Sequence, residues 1–146
     1  MSDLPAADAP IDRPRLRAAA RQFAIAPEPD AATASRTGAR AQRVAGPLKT
    51  TVMLLDDGTN RLCLVMTHFG GTTRANVCAL FREAIAGDLD LPVSRVLLFS
   101  SHNHSSVSFA DDVVSAYDSY ADGFPPAQLL PIGEVFLAEL RKNAKR

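Results

Sequence analysis

The sequence predicts an α/β domain: a mixed sheet in which an antiparallel hairpin is followed by a right-handed parallel strand–helix–strand unit, with a further helix near the C-terminus. Three observations carry that expectation. Asp57-Gly58 lies between two apolar runs, and glycine accepts the positive φ that a tight hairpin turn requires. An amphipathic stretch then separates the second run from a third, Val96 to Ser101, which is long enough for a crossover between parallel strands. Finally, Leu62 to Thr67 and Val96 to Phe99 are almost unbroken apolar runs rather than alternating ones, a pattern that predicts burial on both faces of the sheet.

The elements follow in chain order. Residues 1–20 hold three prolines and a run of alanines and arginines, a composition that buries little, so they are expected to form a loose arm or a short helix. Residues 21–146 are expected to form a single α/β domain. Gln22 to Ile25 reads as a short strand stopped by Pro27 and Pro29, and 30–47 as a long polar loop. Leu48 to Leu55 and Arg61 to Thr67 are the hairpin strands. After Phe69-Gly70-Gly71, Thr72 or Thr73 caps a helix whose apolar positions Val77, Leu80, Phe81, Ala84 and Ile85 share one face, and Gly87 is placed to stop it. Strand Arg95 to Ser101 comes next. The stretch Ser105 to Gln128 reads as loop with a short helix near 111–120, and the last helix starts near Ile132 with Ile132, Val135, Phe136 and Leu140 on one side.

Composition narrows the function classes. With 47% apolar and 22% charged residues in 146, the chain suits one globular domain with a sizeable core, and no apolar run approaches the ~20 residues of a membrane-spanning helix. Sixteen basic and sixteen acidic residues cancel, so no global field recruits nucleic acid. Cys63 and Cys78 lack metal or redox spacing and read as buried free thiols. No secretory h-region is visible at the N-terminus, so the chain as written is expected to be cytoplasmic.

The candidate chemistry sits at strand ends. The third apolar run closes in His102-Asn103-His104-Ser105, and in an extended backbone residues i and i+2 share a face, so His102 and His104 are positioned to converge on one ion or one substrate oxygen. His68, the remaining histidine, closes the earlier run. Parallel pairing of those strands brings all three imidazoles to the C-terminal edge of the sheet, where open α/β sheets place ligands. Neutral imidazole is a good zinc ligand, and a catalytic zinc needs three protein ligands and an open position for water. The same letters also fit a surface loop in which His, Asn and Ser merely end a strand. Ser100, Ser101, Ser105 and Ser106 lack a Gly-x-Ser-x-Gly elbow and are expected to satisfy backbone groups.

In that order, Phe23-Ala24-Ile25-Ala26-Pro27, Pro47 to Gly58, Leu62 to Met66, the amphipathic helix, and Val96 to Ser105 with its His-Asn-His-Ser element resemble the opening segment of the neutral/alkaline non-lysosomal ceramidase family. The resemblance spans about residues 20–110. It implies a zinc-dependent amide hydrolase that cleaves N-acylsphingosine to sphingosine and a fatty acid. It also implies that His102 binds zinc and that catalytic His104 contacts substrate or the oxyanion. His68, Asn103 and Ser105 are expected in the same pocket from their places in the chain, and His68 stands where the family usually has an acidic residue, which changes the pocket's charge. Family members are several times longer, so on this reading the chain is a fragment, a truncated form or a diverged short relative. Ser106-Val107 replaces the family's Gly-Pro, which predicts a different turn there.

Two function classes therefore stand side by side: a ceramidase-type zinc hydrolase of a lipid amide, and a non-catalytic α/β module that keeps a polar pocket. A homo-oligomer that pairs His68, His102 and His104 with a neighbour would enlarge the ligand set.

Overall fold

The computed structural model describes residues 15–28, 43–69, 75–101, 105–109 and 128–145. Among them run strand β1 (Arg17–Ile25), β2 (Leu48–Asp56), β3 (Arg61–Thr67), helix α1 (Ala75–Leu89), a single 3-10 turn (Val93–Arg95), β4 (Val96–Ser100) and α2 (Pro131–Ala144). The strands form one sheet in the order β1-β2-β3-β4. β1, β2 and β3 are antiparallel neighbours, and β3 pairs parallel to β4, with α1 in the crossover. The expected mixed α/β architecture is what the chain adopts.

The hairpin forms where Asp-Gly placed it. Asp57 accepts hydrogen bonds from the backbone N–H of Thr59 (2.8 Å) and Asn60 (2.6 Å), and Gly58 takes φ 90°. Those amides, Asn60 first and then Thr59, hold the Asp57 carboxyl below its ordinary range.

Several boundaries differ from expectation, each for a local reason. β1 begins at Arg17 rather than Gln22, so part of the supposed arm is strand. Ala18, Ala20 and Ala24 are weak β-formers, and what holds them is a nine-residue ladder to β2, closed by Arg17 on Asp56 at 2.9 Å. α1 runs past Gly87 to Leu89, and Asp90 supplies the left-handed residue (φ 52°) that ends it. The Leu91 N–H then returns to the Ala86 carbonyl at 2.9 Å in a Schellman closure, while the Arg61 guanidinium caps the Leu89 and Asp90 carbonyls. The proposed caps Thr72 and Thr73 and the short helix near 111–120 lie outside the described residues.

Both helices pack on one face of the sheet. α1 touches β4, α2 touches β1 and β2, and the two helices touch each other. Phe23, Thr50, Val52, Cys63, Val65 and Val96 face them, and Val77, Phe81 and Ile85 of α1 and Phe136 and Leu140 of α2 complete the core. Val135, expected on the buried side, is half exposed. The two-sided burial expected of β3 and β4 is not found. On the opposite face Met66, Leu97 and Phe99 are 38%, 38% and 52% exposed. With both helices committed to the inner face, no described element remains to cover the outer one.

The helices are tied at their C-terminal ends by Asp88, whose carboxylate accepts from Arg141 at 2.6 and 2.8 Å and pairs with Lys145 at 2.9 Å. The bidentate Arg141 contact pulls its pKa down from 3.8 to about 2. A depressed folded-state pKa contributes stability that is complete above the unfolded value and fades as pH falls toward the folded one. The two cations are half exposed, so screening trims the effect: Asp88→Asn is expected to lose about 1 kcal/mol at pH 7. Urea melts at pH 7 and pH 2 check this, because the difference between variant and parent should shrink to a small fraction at the lower pH, where the folded-state carboxyl is half protonated.

Candidate functional site

The parallel register of β3 and β4 sets Thr67 opposite Ser100, so the residues that follow each strand emerge side by side. Two backbone hydrogen bonds extend the ladder past the strands: the His68 N–H donates to the Lys49 carbonyl at 3.1 Å, and the Ser101 N–H to the Thr67 carbonyl at 2.9 Å. Beneath this edge the Thr50 and Thr67 hydroxyls bond at 3.0 Å, Thr67 Oγ1 accepts the Phe69 N–H, and the Ser100 hydroxyl donates to the Phe69 carbonyl. The strand ends are thus fixed from the core side, and the outer side is free to present side chains.

That side holds a cleft of about 370 Å³ lined by described residues of all four strand ends. Its geometry follows from register. Gln22, Thr51, Met66 and Phe99 are cross-strand partners in one row over the outer face, and Lys49, His68 and Ser101 make the next row toward the edge. The inner row supplies an apolar floor, Met66 and Phe99. The outer row supplies an ammonium, an imidazole and a hydroxyl.

The edge expected to carry the chemistry therefore does carry a cleft, and it holds His68, exposed at its rim. Asn103, the metal ligand candidate His102 and the catalytic candidate His104 lie outside the described residues, but the described Ser101 leads directly into them. Ser105, also expected in the pocket, is exposed. After it the chain turns inward: Ser106, Val107, Ser108 and Phe109 are all buried.

Lys49, Gln22, Thr51, Met66 and Phe99 were missed by reading the sequence alone. The signal was present in the hairpin once the turn is centred on Gly58-Thr59, between Asp57 and Asn60: counting outward from there pairs Thr51 with Met66 and puts Lys49 beside His68.

The described residues do not by themselves fit a zinc ion. Among them no three His, Cys, Asp or Glu side chains cluster to hold a metal, and at this edge they supply one imidazole against the three or four donors a zinc centre needs. Lys49 on the same cleft adds a positive charge. The thiols do not help: Cys63 is fully buried in β3 and burial pushes it up to about 11, and burial likewise raises Cys78 on α1. Both are free and poorly suited as thiolate ligands or nucleophiles. No helix among the described residues is long and apolar enough to cross a membrane. Comparison of the chain with protein-family models, with curated proteins and with solved structures returns no match.

Proposed function

We propose that the protein is a ceramidase-type amide hydrolase working at the C-terminal edge of β3 and β4. The observation that supports this most is the parallel pairing of those strands, which sets His68 beside Ser101, the residue that leads into His102-Asn103-His104, above an apolar floor. Met66 and Phe99 seat the apolar part of a lipid amide and exclude water from it, while the imidazole and hydroxyl of the outer row orient its polar end. On this reading His102 is the metal ligand, and a bound zinc would supply an acidified water and a Lewis acid for the carbonyl oxygen. His104 donates to the oxyanion as the amide carbon becomes tetrahedral.

The test is metal analysis and N-acylsphingosine hydrolysis by the purified chain. The hydrolase reading expects stoichiometric zinc that is lost in His102→Ala, and a fall in kcat of roughly 10²-fold in His104→Ala, the size expected on removing one oxyanion donor. A second reading, a non-catalytic binding module, is favoured by the single imidazole and the ammonium that the described cleft contains. It expects a folded, metal-free protein indifferent to both substitutions.

A further inference from the structure

The outer face of the sheet is graded along the strands well beyond the cleft floor that the hydrolase reading uses. At the edge stand Lys49, His68 and Ser101; one row inward, Gln22, Thr51, Met66 and Phe99; beyond them only Ala20, Met53, Leu64 and Leu97, then Ala18, Leu55 and Leu62. Successive rows are two residues apart, so from Met66 to Leu62 the apolar strip extends roughly 13 Å. Its exposure is large at the cleft end, where Phe99 is 52% and Met66 38% accessible.

The polar side chains of the cleft share a sense. Each can donate a hydrogen bond, and no carboxylate lines the cleft among the described residues. Gln22 Nε2 donates to Thr51 Oγ1 at 3.3 Å, which occupies that oxygen as acceptor and leaves the Thr51 O–H to donate elsewhere. Lys49 is exposed and has no ion pair among the described residues. One ammonium beside the Thr51 hydroxyl and the Gln22 amide matches a single negative charge; a dianionic phosphate monoester would call for a second fixed cation or an arginine fork. We infer that this cleft binds a carboxylate-bearing amphiphile, with the carboxylate at Lys49 and Thr51 and the alkyl chain laid over Met66 and Phe99 toward Leu64 and Leu97. The inference shares the cleft and its apolar floor with the hydrolase reading, but it needs no metal and neither His102 nor His104, so each can fail without the other.

The experiment is calorimetric titration of the full chain in EDTA and low salt with three ten-carbon probes: decanoate, decanol and decyltrimethylammonium. Decanoate is expected to bind at one site per chain, about tenfold more tightly than the cationic probe, since its head gains charge-assisted hydrogen bonds. Lys49→Met, which keeps the bulk at an exposed position, should abolish that preference, and Phe99→Ser should weaken all three probes. Circular dichroism verifies that each variant is folded. Equal affinity for both charges, indifference to Lys49→Met, or no saturable decanoate binding by the folded chain overturns the inference. The same titration on His102→Ala should be unchanged, so loss of the zinc site and loss of the carboxylate site are told apart.

Discussion

Replacing Phe136 by alanine is expected to cost about 3–5 kcal/mol, the range for truncating a fully buried phenylalanine. Phe136 is 0% exposed on α2, and its ring lies 4.5 Å from Phe109, 5.0 Å from Phe81, 5.1 Å from Phe69 and 5.9 Å from Phe23 between centroids. Those four rings belong to the segment after the histidines, to α1, to the chain just past His68 and to β1. One side chain therefore joins α2 to β1, to α1, to the chain leaving β3 and to the buried stretch 106–109. Its removal leaves a cavity bounded by parts that are themselves held by neighbours, so collapse around it is limited. A loss of this size is a large share of the roughly 5–15 kcal/mol that stabilises a domain. Phe136→Leu keeps most of the volume and should cost under about 1.5 kcal/mol, which keeps the comparison measurable if the alanine variant fails to fold. Urea unfolding of both variants checks the prediction, and a Phe136→Ala cost near that of the leucine variant would remove Phe136 from this central place.

How far the sequence disclosed this arrangement depends on the range of the physics involved. The hairpin was legible because Asp57-Gly58 determines its own turn through bonds within four residues. The parallel β3–β4 pair was legible because apolar runs flanking an amphipathic helix leave few topologies. The periodicity of α1 correctly marked Val77, Phe81 and Ile85 as buried. By contrast, Gly87 looked like the helix stop, but Asp90 ends α1, because Leu91 and Arg61 together satisfy the terminal carbonyls and make αL tolerable for aspartate. Continuous apolar strands suggested two covering layers; which face receives helices is set by tertiary packing, and both went to the same one. The cleft shows the same division. His68 at a strand end could be picked out locally, whereas Lys49 and Gln22 join it only through cross-strand register, a long-range property that composition does not display.

Gly133→Ala is expected to destabilise the protein by about 1–3 kcal/mol, the usual cost of overpacking, although alanine is the better helix former. Gly133 lies in the first turn of α2, where a Cβ would stand 2.4 Å from the Phe109 carbonyl oxygen and 3.2 Å from the Leu129 side chain. That carbonyl cannot retreat freely, because it accepts the Leu130 N–H at 2.8 Å and the Phe109 ring is locked against Phe69 and Phe136. A backbone obstacle outweighs the roughly 1 kcal/mol that helix propensity returns. Gly87→Ala is the control of opposite sign: nothing lies within 4 Å of a Cβ there, so the same exchange in α1 should gain about 0.5–1 kcal/mol. The strain in Gly133→Ala is placed where it touches function. Phe109 ends the buried stretch 106–109, which follows His102–His104 in sequence, so displacing its carbonyl should disturb that stretch while leaving β1, β2 and β3 paired. If zinc is bound, its affinity should fall in Gly133→Ala and hold in Gly87→Ala, whereas decanoate binding at Lys49 should be little changed in either. A Gly133→Ala variant as stable as the parent would mean that α2 slides to accept the methyl group, and that the contact between Gly133 and Phe109 does not hold residues 106–109 in place.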